Sequence, residues 1–190
     1  MKLKLLLSLL ATLLISSAAN AADYKIDTKG MHASVQFKIS HLGMSWIVGR
    51  FDSFTGEYSF DATKPEASNL SIVVDTKSVN TNHAERDIHL RNKDFLDVEK
   101  HPKATFVSES VTLNADNTGT MTGKLNLHGV EKTITVAITK IGEGKDPWGG
   151  YRSGFEGTTT LKLADYGITK NLGKASETLE LTVSFEGKRQ

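Results

Sequence analysis

The 190-residue chain has no cysteine, only three prolines, almost no excess of one charge and no long apolar run. Without cysteine there is no disulfide scaffold, no thiolate-ligated zinc or iron–sulfur site and no thiol nucleophile. With 23 basic against 22 acidic side chains there is no broad basic field for nucleic acid. The phosphate-cradling G-x-x-x-x-G-K-[ST] loop and the dinucleotide fingerprint are missing. So is the G-x-S-x-G elbow, because Gly150-Tyr151-Arg152-Ser153-Gly154 carries its serine one place late. Paired carboxylates for glycoside chemistry are a property of the fold and not of the string. Nothing in the residues asks for an enzyme, and no cofactor or metal is expected.

What is present begins with a leader. Lys2 and Lys4 precede the apolar stretch Leu5 to Ile15, and small residues follow to Ala19 and Ala21. That is the order of a cleaved signal peptide, residues 1–21. The apolar stretch is about half of the roughly 20 residues a spanning helix needs, so no stable membrane insertion is expected after cleavage. Cleavage removes two basic residues and leaves 21 against 22, a nearly neutral exported chain. Export without cysteine suits a bacterial periplasm. Residues 22–190 are of single-domain size.

Period-two alternation recurs along those residues. Ala33, Val35, Phe37 and Ile39 oppose Ser34, Gln36, Lys38 and Ser40, and Leu70, Ile72 and Val74 open a run expected to continue to Val79. Met121, Leu125 and Leu127 share a face, as do Ile134, Val136 and Ile138. The cleanest run sets Leu179, Leu181, Val183 and Phe185 against Thr178, Glu180, Thr182 and Ser184. One buried and one wet face is the habit of antiparallel sheets. Long antiparallel strands must close or cover their edges, and about eight strands make a barrel just wide enough for one small ligand. The expectation is an all-β, up-and-down antiparallel barrel, with a two-sheet sandwich as the competitor. Alternation alone does not tell a filled barrel from a hollow one.

Between Asn80 and Pro102 the alternation stops. Capping residues at Thr81-Asn82-His83 predict one short helix, with Ala84, Ile88, Arg91 and Phe95 near one face. The run His83 to His89 is dense in polar groups. However, His83 and His89 turn about 600° apart on a helix, short of a common face for a metal. Ion pairing on a solvated helix, or an Arg86 or Arg91 fork on an anionic head group, are the other readings. His41 and Trp46, at a turn between strands, read either as a cavity rim or as turn chemistry with one core aromatic. Trp148, in Asp146-Pro147-Trp148-Gly149-Gly150, reads as a turn anchor or a cap on a pocket.

Phe37 to Gly43, Gly49-Arg50-Phe51 and Phe54-Thr55-Gly56 resemble the opening of the YceI family. The stretch Ser78 to Arg91, with Asp94-Phe95-Leu96 and Lys100-His101-Pro102, is similar to that family's most specific signature. Leu125 to Lys132 resembles its central hairpin, and Asp146 to Gly150 and Asp165 to Ile168 its later turns. The likeness covers essentially the whole mature chain and is strongest to enterobacterial periplasmic members. Thr133 stands where proline often follows the hairpin lysine, and His101 where an aromatic often precedes proline.

The resemblance implies an eight-stranded antiparallel lipocalin-like barrel with a short helical insertion. It implies a binding or carrier protein holding a polyisoprenoid or similar long-chain lipid in an elongated apolar channel. Prenyl pyrophosphates, quinones and fatty-acid derivatives are the ligand types. Alternation and motif position together nominate Phe37, Ile39, Phe60, Phe106, Leu125, Leu127, Phe155 and Phe185 for the lining. They nominate His83, Arg86, Arg91 and Trp148 for the mouth. An enzyme acting on an isoprenoid and a filled-barrel interaction module are the alternatives. The oligomeric state stays open, a homodimer being one option.

Overall fold

The computed structural model describes residues 21–170 and 172–190. The expected leader therefore lies outside the described residues, except for Ala21. Eleven strand segments and one helix follow in the order β1 (Ala22–Ile26), β2 (Ala33–His41), β3 (Ser45–Phe51), β4 (Phe54–Phe60), β5 (Asn69–Asp75), β6 (Val79–Asn80), α1 (Ala84–Arg91), β7 (Lys103–Leu113), β8 (Thr118–Leu127), β9 (Val130–Lys145), β10 (Tyr151–Lys162) and β11 (Thr178–Arg189).

Neighbouring strands are antiparallel, and the ring closes through β1-β4-β5-β7-β8-β9-β10-β11 and back to β1. This is the expected eight-stranded barrel with one short helix. The three remaining segments are extensions of its wall. The upper part of β11 pairs with β2 from Leu179 opposite Ile39 to Phe185 opposite Ala33, while its end pairs with β1 from Gly187 to Arg189. Strands β1 and β2 are thus one wall interrupted at Asp27–His32. Strands β3 and β4 are a second wall, bent at Asp52 and Ser53, and β6 adds to the β3 edge at Arg50 and Phe51.

Turn chemistry sets the register of the central hairpin. His128 and Gly129 both have positive φ, 54° and 75°, which two-residue hairpin turns require. The run from Leu70 to Val79, expected as one strand, is instead broken. The Asp75 carboxylate accepts from the Lys77 N–H at 3.0 Å, and the Thr76 hydroxyl donates to the His101 carbonyl at 2.7 Å. These bonds hold a 3₁₀ turn over Thr76–Ser78 and leave only Val79 and Asn80 to pair with β3.

The helix also corrects a sequence expectation. Spacing puts Ile88 near one face with Phe95, yet Phe95 is buried and Ile88 is 66 % exposed. Polar anchors set the rotation instead. The buried Asp87 carboxylate accepts from the Thr81 N–H at 2.9 Å and its hydroxyl at 2.5 Å. Arg86 donates to the Thr81 hydroxyl and carbonyl at 2.7 and 2.8 Å. Burial without such partners would cost these groups several kcal/mol, so satisfying them outweighs hiding one isoleucine.

At the opposite end, Arg152 ties the interruption between β1 and β2 to the rest of the barrel. Its guanidinium reaches Asp27 at 2.8 Å, Glu186 at 2.5 Å and Asp146 at 2.9 Å, and Lys188 adds a second cation to Asp27 at 3.1 Å. Burial pushes the Asp27 carboxyl up. The donors Arg152, His32, Lys188 and the Gly30 N–H outweigh it and hold the group well below the usual carboxylate range.

Candidate functional site

The barrel is hollow. Two chambers, with about 1030 and 1650 Å³ of empty space including what opens to solvent, share Val35, Val74, Ala104, Leu125 and Leu181. These five residues form a waist where the two chambers meet. All eight residues expected for the lining face these chambers. Phe60, Phe106, Phe155 and Phe185 line the chamber away from the helix, with Val111, Met121 and Ile138. Phe37, Ile39 and Leu127 line the chamber under the helix, with Ile47, Leu161 and Leu179, and Leu125 touches both.

Large aromatic rings do not fill the space because glycines on neighbouring strands make room for them. A Cβ at Gly49 would lie 2.2 Å from Phe37 Cζ, and one at Gly123 would lie 2.6 Å from Phe106 Cζ. The rings rest against bare backbone and lie along the wall. Tyr58 behaves similarly over Gly187, while its hydroxyl donates to the Ser153 carbonyl at 2.7 Å. Burial raises the Tyr58 phenol far above its ordinary value, so it keeps its proton.

The mouth differs from the sequence expectation. At the helix end the apolar wall carries the basic side chains of Arg86 and Lys170, with the imidazoles of His41 and His89. Lys170 is held toward this rim by Asp94 at 3.2 Å. Of the four residues nominated for the mouth, only Arg86 lines it. His83 is an exposed helix cap whose Nδ1 accepts from the Arg86 N–H at 3.2 Å. Arg91 is consumed by backbone, donating to the Lys77 and Val79 carbonyls at 2.7 and 2.8 Å, and so fastens α1 to the barrel. Trp148 is 79 % exposed on the β9–β10 turn, at the end away from the helix, with the Arg152 guanidinium 5.7 Å from its ring. One opening cannot include both it and α1.

His41 is the rim residue that sequence offered as one of two readings, whereas Trp46 turns outward, 58 % exposed with Lys38 over its ring. Lys170 carried no signal of its own, and His89 was weighed only as a metal ligand. Lys170 comes to the mouth on the segment after β10, and His89 comes on α1. Asp27 and Arg152 were likewise invisible, being 125 residues apart in sequence.

A model of the YceI-like domain matches residues 24–187. A UPF0312 protein of Ectopseudomonas mendocina is 60 % identical over 181 residues, 95 % of each chain. One from Azotobacter vinelandii is 56 % identical over 184 residues, 97 % of this chain and 96 % of its own. Among solved structures, the YCEI protein of Campylobacter jejuni superposes with a TM-score of 0.73 at 28 % identity, covering 80 % of this chain and 91 % of its own. A polyisoprenoid binding domain from Saccharophagus degradans, implicated in plant cell wall breakdown, has a TM-score of 0.66 at 18 % identity, covering 90 % and 100 %. BcnA of Burkholderia cenocepacia has a TM-score of 0.75 at 21 % identity, covering 85 % and 98 %. The last two likenesses are of fold alone.

Proposed function

The chain belongs to the YceI-like family, and from that premise we propose that it is a periplasmic carrier of a long-chain, polyisoprenoid-type lipid with an anionic head. The single observation that carries this reading is a pair of apolar chambers sharing five wall residues, with Arg86 and Lys170 on the wall of the one under the helix. A tail equivalent to about ten CH₂ groups would contribute roughly 8 kcal/mol at about 0.8 each. That is about micromolar affinity before ordering costs. The tail supplies affinity and the rim supplies orientation, the division of labour usual in such sites.

The head group rests against Arg86 and Lys170, with His41 and His89 beside them. The tail passes the waist and ends among Phe60, Phe155 and Phe185. Binding rather than turnover fits the lining, where Tyr58 keeps its proton and is occupied by a backbone carbonyl. Periplasmic residence rests on the leader read in residues 1–21 and on the absence of cysteine.

The test is native mass spectrometry of mature protein taken from its own periplasm, with organic extraction of what co-purifies. A stoichiometric prenyl or acyl chain with an acidic head is the expected result. A bare mass that stays bare after incubation with prenyl lipids would refute the carrier and favour an interaction module.

A further inference from the structure

Three residues at the helix end have no part in the channel. Asp97 and His101 lie on the loop after α1, and His128 lies on the β8–β9 turn. Each offers a ligand atom, and these atoms lie within 4.8 Å of one another. The His101 and His128 rings are 4.6 Å apart, centroid to centroid.

His128 carries the argument. Its Nδ1 is 2.9 Å from the Tyr166 carbonyl oxygen. A carbonyl can only accept, so Nδ1 holds the proton and Nε2 of the neutral ring presents a lone pair. That Nε2 is closed off from solvent and meets no hydrogen-bond partner among the described residues. A buried acceptor without a partner is uncommon and calls for an explanation. A ring nitrogen fixed in its tautomer by a carbonyl on its other side is also how metal-bound histidines are oriented.

We infer that Asp97, His101 and His128 form a binding site for a zinc-like divalent transition-metal ion. Two imidazoles and a carboxylate suit zinc, with a fourth position left for water. Zn–N and Zn–O distances of about 2.0–2.2 Å put donors about 3.4 Å apart in a tetrahedron, so closure needs side-chain shifts of about 1 Å. Asp97 now contacts only one lysine by ion pair, Lys100 at 3.1 Å, whose side chain is 75 % exposed and able to leave.

The comparison with Asp27, His32 and Glu186, which also cluster, is instructive. There Arg152 and Lys188 already neutralise the carboxylates and occupy their oxygens. That cluster carries a part-buried guanidinium and a lysine on its carboxylates, whereas the helix-end cluster carries only the exposed Lys100.

His101 and His128 flank the paired strands β7 and β8, and the site would add Asp97, from the loop before them, to that pair. Leu96 and Leu127, each one residue from a ligand, line the channel. A metal there pins the loop after α1 to the barrel rim beside the mouth. Sequence reading passed over it because His101 and His128 are far apart and neither lies on the helix.

The experiment uses tag-free mature protein, stripped with a chelator and titrated with Zn²⁺ by calorimetry and with Co²⁺ by visible absorption. One equivalent of each is expected, with the d–d bands of four-coordinate cobalt and a rise in melting temperature with zinc. His101→Phe keeps a ring against His128, and Asp97→Asn keeps the shape of a residue whose φ is 44°. Each should weaken zinc binding by at least about tenfold, as should His128→Gln. His32→Gln should leave the titration unchanged. No heat and no cobalt bands would overturn the inference. So would undiminished binding in the folded His101→Phe and Asp97→Asn proteins, which serve even if His128→Gln does not fold.

Discussion

Ala104 sits at the waist, opposite Val74 across the β5–β7 pair, with its methyl facing the channel. Replacing it with phenylalanine puts a ring between the two chambers and leaves each chamber's own walls unchanged. The far chamber extends along β11 from Leu181 to Phe185, four residues or about 13 Å of strand at about 3.3 Å each. With a barrel tilt of 35–45° that is about 10 Å along the axis. A zigzag chain with bonds of about 1.5 Å advances about 1.3 Å per carbon, so about eight CH₂ groups fit beyond the waist. At about 0.8 kcal/mol each they are worth about 6 kcal/mol, and ordering the tail offsets roughly half. The expected loss for a long ligand is about 3 kcal/mol, or about two decades in affinity. The assay is calorimetry with straight-chain fatty acids lengthened two carbons at a time. Wild type should gain affinity with each step until the channel is full, and Ala104→Phe should stop gaining about eight carbons earlier. A variant that folds, by melting and near-ultraviolet dichroism, yet reaches its plateau at the wild-type length would refute the continuous-channel reasoning.

Gly49→Ala should push the Phe37 ring off the wall into the lumen. Long-chain affinity should fall about tenfold while the unfolding free energy from urea melts changes by less than about 1 kcal/mol; a loss of about 1–3 kcal/mol with unchanged affinity would mean the ring cannot turn. For pH, the depressed Asp27 contributes stability that is present above its ordinary value, about 3.9, and is lost as pH falls below it. Urea midpoints should therefore drop between pH 5 and pH 3 in wild type and drop less in Asp27→Asn; equal slopes would contradict the role given to Arg152. Arg91→Met removes two charge-assisted bonds to carbonyls and should cost about 2 kcal/mol of stability without changing affinity for a neutral long-chain ligand. Unchanged stability with lost head-group preference would return Arg91 to the mouth.

The channel wall was legible because inward positions on an antiparallel strand repeat every two residues, and Phe37, Leu125 and Phe185 announce themselves that way. That the wall encloses space was not, since a filled barrel writes the same alternation. The signal for space is the pairing of aromatics with glycines on other strands, Phe37 with Gly49 and Phe106 with Gly123, and this needs the register to be known. The mouth was read less well. His83, Arg86 and Arg91 are neighbours in sequence but do three different things, because one caps, one faces the rim and one fastens. Charge on a helix says nothing about which backbone carbonyls will be within reach. Spacing grouped Ile88 with Phe95 but could not say which of them packs, as Asp87 and Thr81 fix the helix rotation through bonds that spacing does not reveal.

Barrel closure sets an order of events. Tyr24 pairs with Arg189 and Ile26 with Gly187, so the first strand finds its partner in the last residues of the chain. Before the last strand is in place, the hairpins β2–β3 and β7 to β10 can form from neighbouring residues. The barrel stays an open trough until β11 arrives to join both edges. Until then the apolar inner faces of every strand are exposed, and pairing across so long a loop is intrinsically slow. A chain truncated before Thr178 would therefore lose more than one strand: it would be an unclosed sheet with two free edges and nothing to keep it from its neighbours.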